Sequence, residues 1–325
     1  RIDCVTFPLA NGRNPLMKIV RGTKNISGSI PYPVTAIGNF DGVHIGHQMI
    51  FLRTAEIARQ NNGTSLAFTF EPHPLKIIAP ERVPPLLTTF RQKMEYIEEC
   101  GIDQVICADF TRQFADQHPR DFAKDILGDK LGVKEVVVGF DYAFGKGREG
   151  TVPYLKKMGE EFGFTVHVIE PIKLNGHLVG SSYVRELIEE GNVETAVEFL
   201  GRPYSIRGPV VHGYKTGQAI GFPTANIDTS KVQIPGTGVY AVYVHCQDNS
   251  FPGVVNVGFN PTFHRDSLSV EVHIFDFYEK IYGEEIEVEF IRRIRSEKEF
   301  KSAEELVKQI EKDIQAAKNV LKESL

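Results

Sequence analysis

Between residues 33 and 170 short, unbroken apolar runs alternate with longer stretches whose apolar residues recur at helical spacing. Strands are expected at Val34–Ile37, Leu66–Phe70, Gln104–Ala108, Val136–Val138 and Thr165–Ile169. Helices are expected at Gly46–Gln60, where Ile50, Phe51, Ala55, Ile57 and Ala58 form an apolar face, and at Phe90–Cys100, Phe122–Leu131 and Tyr154–Phe162. Strands apolar on both faces and alternating with helices predict a parallel sheet covered on both sides, the α/β doubly wound class. Ligands of such a sheet bind at the carboxyl ends of its strands.

Past Gly201 the texture changes. Tyr204–Ile206, Gly238–Val244, Val254–Val257, Leu268–Phe275 and Ile286–Ile294 are β-type runs punctuated by Gly and Pro. Val270, Val272 and Ile274 alternate with Glu271, His273 and Asp276, the period of a half-buried strand. Strands without intervening helices predict a small antiparallel β-barrel. A helix from Ser302 to Leu321 closes the chain, with Leu306, Ile310, Ile314, Ala317 and Leu321 on one stripe. One or two helices over Ser181–Leu200 link the halves, with Glu186, Glu189, Glu190, Glu194 and Glu198 facing solvent. The expected division is therefore 17–185, a helical linker at 186–201, and 202–325. Residues 1–16 read as a tag or dispensable extension, because Met17-Lys18-Ile19-Val20-Arg21-Gly22 resembles a natural start.

A length of 325 residues accommodates two domains. A net charge of −5 gives no broad basic surface for nucleic acid, and no apolar run is long enough to span a membrane. The partners expected are small-molecule substrates, with no nucleic acid and no membrane, for a monomer or weak homo-oligomer. Cys4, Cys100, Cys107 and Cys246 are scattered without a C-x-x-C, which favours neither a disulfide framework nor a zinc site and fits the cytoplasm.

Two segments carry chemistry. The first, Gly38-Asn39-Phe40-Asp41-Gly42-Val43-His44-Ile45-Gly46-His47, follows a strand and opens a helix. Backbone N–H groups and the positive helix end there suit phosphates, and Gly42 and Gly46 allow close approach. His44 and His47, three apart, share one face and can donate hydrogen bonds to a phosphoryl group. A capped turn with two surface histidines, or a metal pair, is the alternative. The second segment, Gly217-x-x-x-Gly221-Phe222-Pro223-Thr224-Ala225-Asn226, is glycine-rich but lacks the Lys-Ser/Thr end of a Walker loop. Thr224 and Asn226 offer two hard oxygens on one side of an extended chain, a Mg²⁺-like donor set. On chemistry alone a Gly/Pro-rich hairpin with polar turn residues is the favoured reading.

His44-x-Gly46-His47 resembles the H-x-G-H motif of the nucleotidyltransferase superfamily, which class I aminoacyl-tRNA synthetases share. The longer string resembles the bacterial bifunctional riboflavin kinase/FMN adenylyltransferases, or FAD synthetases. Phe68-Thr69-Phe70-Glu71-Pro72-His73-Pro74 is similar to that family's F-x-P-H-P turn. Val138 to Gly147 is similar to V-G-x-D-F-x-F-G, with Tyr142 for Phe, and Val179-Gly180-Ser181-Ser182-Tyr183-Val184-Arg185 to V-S-S-T-x-I-R, with Gly180 for Ser and Ser182 for Thr. Residues 217–226 match the family's riboflavin kinase motif, and Asn256-Val257-Gly258, Pro261-Thr262-Phe263, Glu271-Val272-His273 and Tyr282-Gly283 follow in order. The matching blocks run from about residue 17 to 320.

The resemblance implies two-step FAD synthesis. ATP phosphorylates riboflavin to FMN, and a second ATP adenylylates FMN to FAD with release of pyrophosphate. It further implies catalytic roles for His44, His47 and Glu271, the last as general base. ATP contacts fall to Gly38, Phe40, Asp41, Gly46, Ser181, Ser182, Arg185, Gly217, Gly221 and Pro223, and flavin contacts to His73, Asp141 and Arg295. Mg²⁺ falls to Thr224 and Asn226. Simpler readings exist for several of these: a turn at His73 and at Asp141, an N-cap at Ser181 or Ser182, a surface arginine at Arg185 and at Arg295, a solvent-facing carboxylate at Glu271. The absence of a K-M-S-K-S run and the acidic balance separate the chain from the synthetases.

Overall fold

The computed structural model describes residues 17–213, 220–229, 232–247, 249–259 and 268–323. Residues 1–16, and with them the expected extension, lie outside that set. Contacts divide the chain into two compact units: residues up to Pro84 with Phe90–Val179, and Pro85–Thr89 with everything from Gly180 onward.

The first unit is built on a six-stranded parallel sheet. Its strands are β1 (Lys18–Arg21), β2 (Pro33–Ile37), β3 (Thr64–Glu71), β4 (Gln104–Asp109), β5 (Glu135–Gly139) and β6 (Thr165–Ile169), in spatial order β1-β4-β3-β2-β5-β6. Helices α1 (Ile45–Gln60), α2 (Pro74–Ile78), α3 (Phe90–Glu99), α4 (Arg112–Ala115), α5 (Pro119–Asp121), a π-helical stretch Phe122–Lys130 and α6 (Val152–Phe162) connect them. Phe51, Ile57 and Ala58 of α1 pack with Met94 and Ile97 of α3 in one apolar cluster. Phe122, Ile126, Leu127, Leu155 and Met158 pack in a second. Two cores, one on each face, are what strands with no polar face require.

The chain runs β2, β3, β4 in one direction across the sheet and then returns to place β5 on the other flank of β2. The reversal between β2 and β5 is the topological switch point, where a doubly wound sheet opens a crevice. Residues 38–47 leave β2 there, and the Val138–Gly147 segment leaves β5 beside it. Strand β1 was not expected. It has four residues, lies at the sheet edge and pairs parallel to β4, and its Lys-Ile-Val-Arg sequence, charged at both ends, resembles no buried central strand. A hairpin of β7 (Lys173–Leu174) and β8 (His177–Leu178) turns through Asn175 and Gly176 at φ 51° and 82°, a pairing suited to a two-residue turn.

In the second unit α7 (Ser181–Glu189) and α8 (Val193–Leu200) resolve the expected helical stretch into two, and all five glutamates are exposed. A closed antiparallel barrel follows: β9 (Tyr204–Val211), β10 (Ala225–Ile227), β11 (Gly238–Cys246), β12 (Asn249–Phe259), β13 (Leu268–Ile274) and β14 (Glu285–Arg295), in the order β10-β13-β12-β11-β14-β9. The short β10 was not expected as a strand. The last helix, α9 (Ala303–Glu323), lays Ala317 and Leu321 against Val239, Ala241 and Val254 on the outside of the barrel.

Candidate active sites

Residues 38–47 pass from β2 to α1 through a strained backbone. Phe40, Gly42 and Val43 have φ of 55°, 81° and 39°. Left-handed backbone at a β-branched valine costs about 1–3 kcal/mol and persists only where surrounding contacts enforce it. Those contacts are present: Thr69 Oγ donates to the Asn39 carbonyl at 3.2 Å, Gln48 Nε2 to the Val43 carbonyl at 2.9 Å, and the Gly38 N–H to the Phe68 carbonyl at 3.1 Å. Phe40, Asp41 and Val43 are buried, so the loop is part of the core.

That shape sets the two histidines. His44 is the N-cap of α1, and its Nδ1 accepts the His47 backbone N–H at 3.3 Å. An imidazole nitrogen that accepts is unprotonated, so the neutral ring carries its proton on Nε2. The His44 and His47 rings stack with centroids 3.6 Å apart and 18° between planes, and the Phe40 ring meets His47 edge-on. A Cβ at Gly46 would stand 3.1 Å from both Cε1 and Nδ1 of His44. Glycine there makes room for the ring, since the position itself needs no left-handed backbone. The result is a stacked donor pair at the positive end of a 16-residue helix, at the switch point of the sheet.

Other residues read from the sequence occupy nearby elements of the first unit. His73 caps α2, its Nδ1 accepting from the Leu75 N–H at 3.2 Å, so the turn reading and the flavin reading fall on one imidazole. Asp141 is exposed just after β5, its carboxylate over Gly139. Tyr142, where the related motif has Phe, stacks on Phe144 at 5.4 Å, and its hydroxyl is buried without a hydrogen-bond partner among the described residues. Burial pushes that phenol far above its ordinary value.

In the second unit Gly180 is the N-cap of α7 and supplies no side-chain hydrogen bond, with Ser181 and Ser182 on the first turn. The serines therefore do not serve as the cap. Arg185 is half-buried and its Nε donates to the Pro85 carbonyl at 2.8 Å.

The second site lies on the outer wall of the barrel. Val270, Val272 and Ile274 point into the core, which turns Glu271 and His273 outward. Register then assembles a polar row from three strands: Asn226 of β10 pairs with Glu271 of β13, and Glu271 pairs with Asn256 of β12. Residues opposed in adjacent strands share a face. The Thr224 hydroxyl bonds the Glu271 carboxyl, and His273 Nδ1 donates to the Pro223 carbonyl at 2.8 Å. Burial raises the pKa of Glu271 above the ordinary carboxylate range, and the Thr224 hydrogen bond opposes that rise. A Cβ at Gly213 would come within 2.1 Å of Asn226 Nδ2, so the chain passes close over the asparagine. Gly221 has φ 91°, and Gly221 and Pro223 are exposed beside the row. Gly217 lies outside the described residues.

Thr224 and Asn226 present oxygen donors next to a carboxylate, the donor class Mg²⁺ takes with substrate phosphates. Among the described residues no cluster of three His, Cys, Asp or Glu side chains forms a protein-only metal cage. A metal shared with phosphate fits this donor set better than a resident one. Arg295 ends β14 with its guanidinium on Asp313 of α9, Nε lying 3.0 Å from both carboxylate oxygens and Nη2 2.8 Å from Oδ2. Its Nη1 donates to the Ser296 carbonyl at 2.9 Å, so Arg295 orders the segment that follows β14.

Comparison with known proteins follows the same division. The FAD synthetase family pattern matches residues 30–183, and the riboflavin kinase pattern matches residues 200–321. The bifunctional riboflavin kinase/FMN adenylyltransferase of Escherichia coli (strain K12) is 40% identical over 299 residues, spanning 91% of this chain and 96% of that protein. The enzyme of the same description from Bacillus subtilis (strain 168) is 39% identical over 294 residues, spanning 87% and 91%. A crystal structure described as a macrolide-efflux protein from Streptococcus pneumoniae aligns with a TM-score of 0.84 at 31% identity, over 93% of this chain and 99% of that one. Among the described residues of this chain no helix is long and apolar enough to cross a membrane.

Proposed function

Because the chain belongs to the family of bifunctional riboflavin kinase/FMN adenylyltransferases, we propose that its two sites divide the family's two reactions between them. The chain is a bifunctional transferase of FAD synthesis: it phosphorylates riboflavin to FMN with ATP, then adenylylates FMN to FAD. The observation that carries the residue assignment is the barrel register, which sets Asn226 opposite Glu271 although the two are far apart in sequence, with the Thr224 hydroxyl bonded to the Glu271 carboxyl.

In the kinase site Glu271 accepts the proton of the riboflavin 5′-hydroxyl as that oxygen attacks the γ-phosphorus of ATP and ADP leaves. Gly217, Gly221 and Pro223 are assigned to the ATP of this site on the strength of their motif. Thr224 and Asn226 would hold Mg²⁺, which supplies positive charge to the phosphate oxygens. In the adenylyltransferase site a phosphate oxygen of FMN attacks the α-phosphorus of a second ATP, and pyrophosphate leaves. His44 and His47 donate hydrogen bonds as charge gathers on the phosphoryl oxygens. Gly38, Phe40, Asp41 and Gly46 shape the nucleotide loop, and Ser181, Ser182 and Arg185 hold the departing pyrophosphate. His73 and Asp141 are assigned to the flavin of this site, and Arg295 to the flavin of the kinase site, on the strength of their motifs.

The same reading takes 17–185 as the adenylyltransferase, 186–201 as a helical linker and 202–325 as the kinase. It places a monomer or weak homo-oligomer in the cytoplasm, without nucleic-acid or membrane partners, consistent with scattered cysteines and a net charge of −5. The test is direct. The protein is incubated with riboflavin, ATP and Mg²⁺, and FMN and FAD are separated by chromatography. Both should accumulate in turn; FMN alone would overturn the adenylyltransferase assignment, and neither product would overturn both.

A further inference from the structure

Helix α3 buries Phe51's neighbours Met94 and Ile97 in the core, and on the same stripe it buries a lysine. Lys93 is 7% exposed. A lysine beside apolar surface normally extends its stem and keeps the ammonium in water. This one turns its ammonium inward, to the carboxyl ends of β2 and β3. Its Nζ lies 3.4 Å from the Asn39 carbonyl and 3.5 Å from Thr69 Oγ, two long contacts for three N–H groups. Thr69 Oγ itself donates to the same Asn39 carbonyl. No carboxylate among the described residues comes within 4 Å of the ammonium. Burial lowers the pKa of Lys93, and the carboxylates of Glu71 and Asp41 oppose that fall by favouring its charge.

A buried ammonium without an ion pair is costly, and neutral side chains of similar volume usually stabilise such positions. The location supplies a reason to keep it. Asn39 begins the strained loop that sets His44 and His47, and that loop is where the phosphates of a nucleotide meet the α1 N-terminus. We propose that Lys93 is the resident cation of this site: a positioning residue that holds the Asn39 carbonyl and lends a fixed positive potential to the phosphate-binding loop during adenylyl transfer. The inference rests on reading residues 38–47 as the adenylyltransferase site. In a water-poor interior a fixed charge acts at several ångströms with little screening, so Lys93 need not touch the phosphate. Its charge, more than its bulk, is then what the reaction uses.

The experiment compares Lys93→Met, Lys93→Gln, Lys93→Arg and His47→Ala in the full chain, reading kcat and KM for FMN adenylylation, the riboflavin kinase rate and the melting temperature. Lys93→Met should lower adenylylation kcat/KM by about 100-fold, on the scale of removing one electrostatic contact from a transition state. The kinase rate should hold and the melting temperature should hold or rise, because a buried charge is removed and no ion pair is lost. Lys93→Arg, which keeps the charge, should stay well above Lys93→Gln, which keeps the polarity without it. If Lys93→Met adenylylates normally while His47→Ala does not, the Lys93 inference fails and the site assignment stands. If His47→Ala is also normal, both fail together. Should Lys93→Met not fold, the Arg–Gln pair decides, and equal rates in those two would overturn the role of charge.

Discussion

The two sites of this chain are built in opposite ways. The proposed adenylyltransferase site centres on one continuous ten-residue turn, shaped by left-handed backbone at Phe40, Gly42 and Val43 and closed by an imidazole cap. The proposed kinase site has no such core. Its donors arrive on separate strands of a barrel wall, and Asn226, Glu271 and Asn256 become neighbours only because β10, β13 and β12 pair in that register. The first stores its geometry in local backbone, the second in long-range pairing. A single substitution should therefore damage one activity and spare the other, and how far each falls measures what its site depends on.

The largest effect is expected at Glu271. Removing a general base costs about 10²–10⁴ in rate. Glu271→Ala should lose FMN formation on that scale yet convert added FMN to FAD at the native rate, as separate initial-rate assays would read. An unchanged kinase rate would remove Glu271 as the base. His47→Ala is the mirror experiment. Losing one preorganised donor costs about 10²–10³, so FMN should accumulate without FAD. Loss of both products would show that the sites are not independent.

The pH dependence separates them further. Burial lifts Glu271 above ordinary carboxylates, and the Thr224 hydrogen bond holds it lower than burial alone would. The base works deprotonated, so kinase activity falls as pH drops through that raised pKa. Thr224→Val removes the opposing hydrogen bond, and the acid limb of kinase kcat/KM should move to higher pH, whatever happens to the plateau. The limb for adenylylation should stay where it was. A limb that moves to lower pH, or does not move, would detach Thr224 from Glu271.

The same contrast explains what could be read from the chain. Residues 38–47 were legible as chemistry because a strand, two glycines, two histidines and a helix lie in sequence order. Residues 217–226 were nearly mute by themselves, since their partner Glu271 is placed by a register that no local pattern encodes. Lys93 passed unnoticed because lysine on a helix reads as solvent-facing. Its position between Phe90 and Ile97, on the stripe that also carries Met94, was the available signal. Asp313 is a similar case. It interrupts the stripe of Ile310, Ile314 and Ala317 in the last helix, is 4% exposed, and holds Arg295, which sequence motifs alone had assigned to the flavin. Polar residues on apolar stripes marked both hidden interactions. Strand β1 left no comparable mark, being four residues with Val20 alone buried.

The smallest expected effect is at Gly180, where the related motif carries serine. Gly180 is the N-cap of α7 without a side-chain hydrogen bond, and a Cβ added there meets nothing within 4 Å. Serine improves on glycine as an N-cap by only a few tenths of a kcal/mol, so Gly180→Ser should raise the melting temperature by about 1 °C. The adenylylation rate decides between two readings of that position. If Ser181, Ser182 and Arg185 suffice to hold pyrophosphate, the rate stays at its native value, because the new hydroxyl serves the helix end. A faster FMN-to-FAD step would instead place a hydroxyl at 180 within the phosphate clamp.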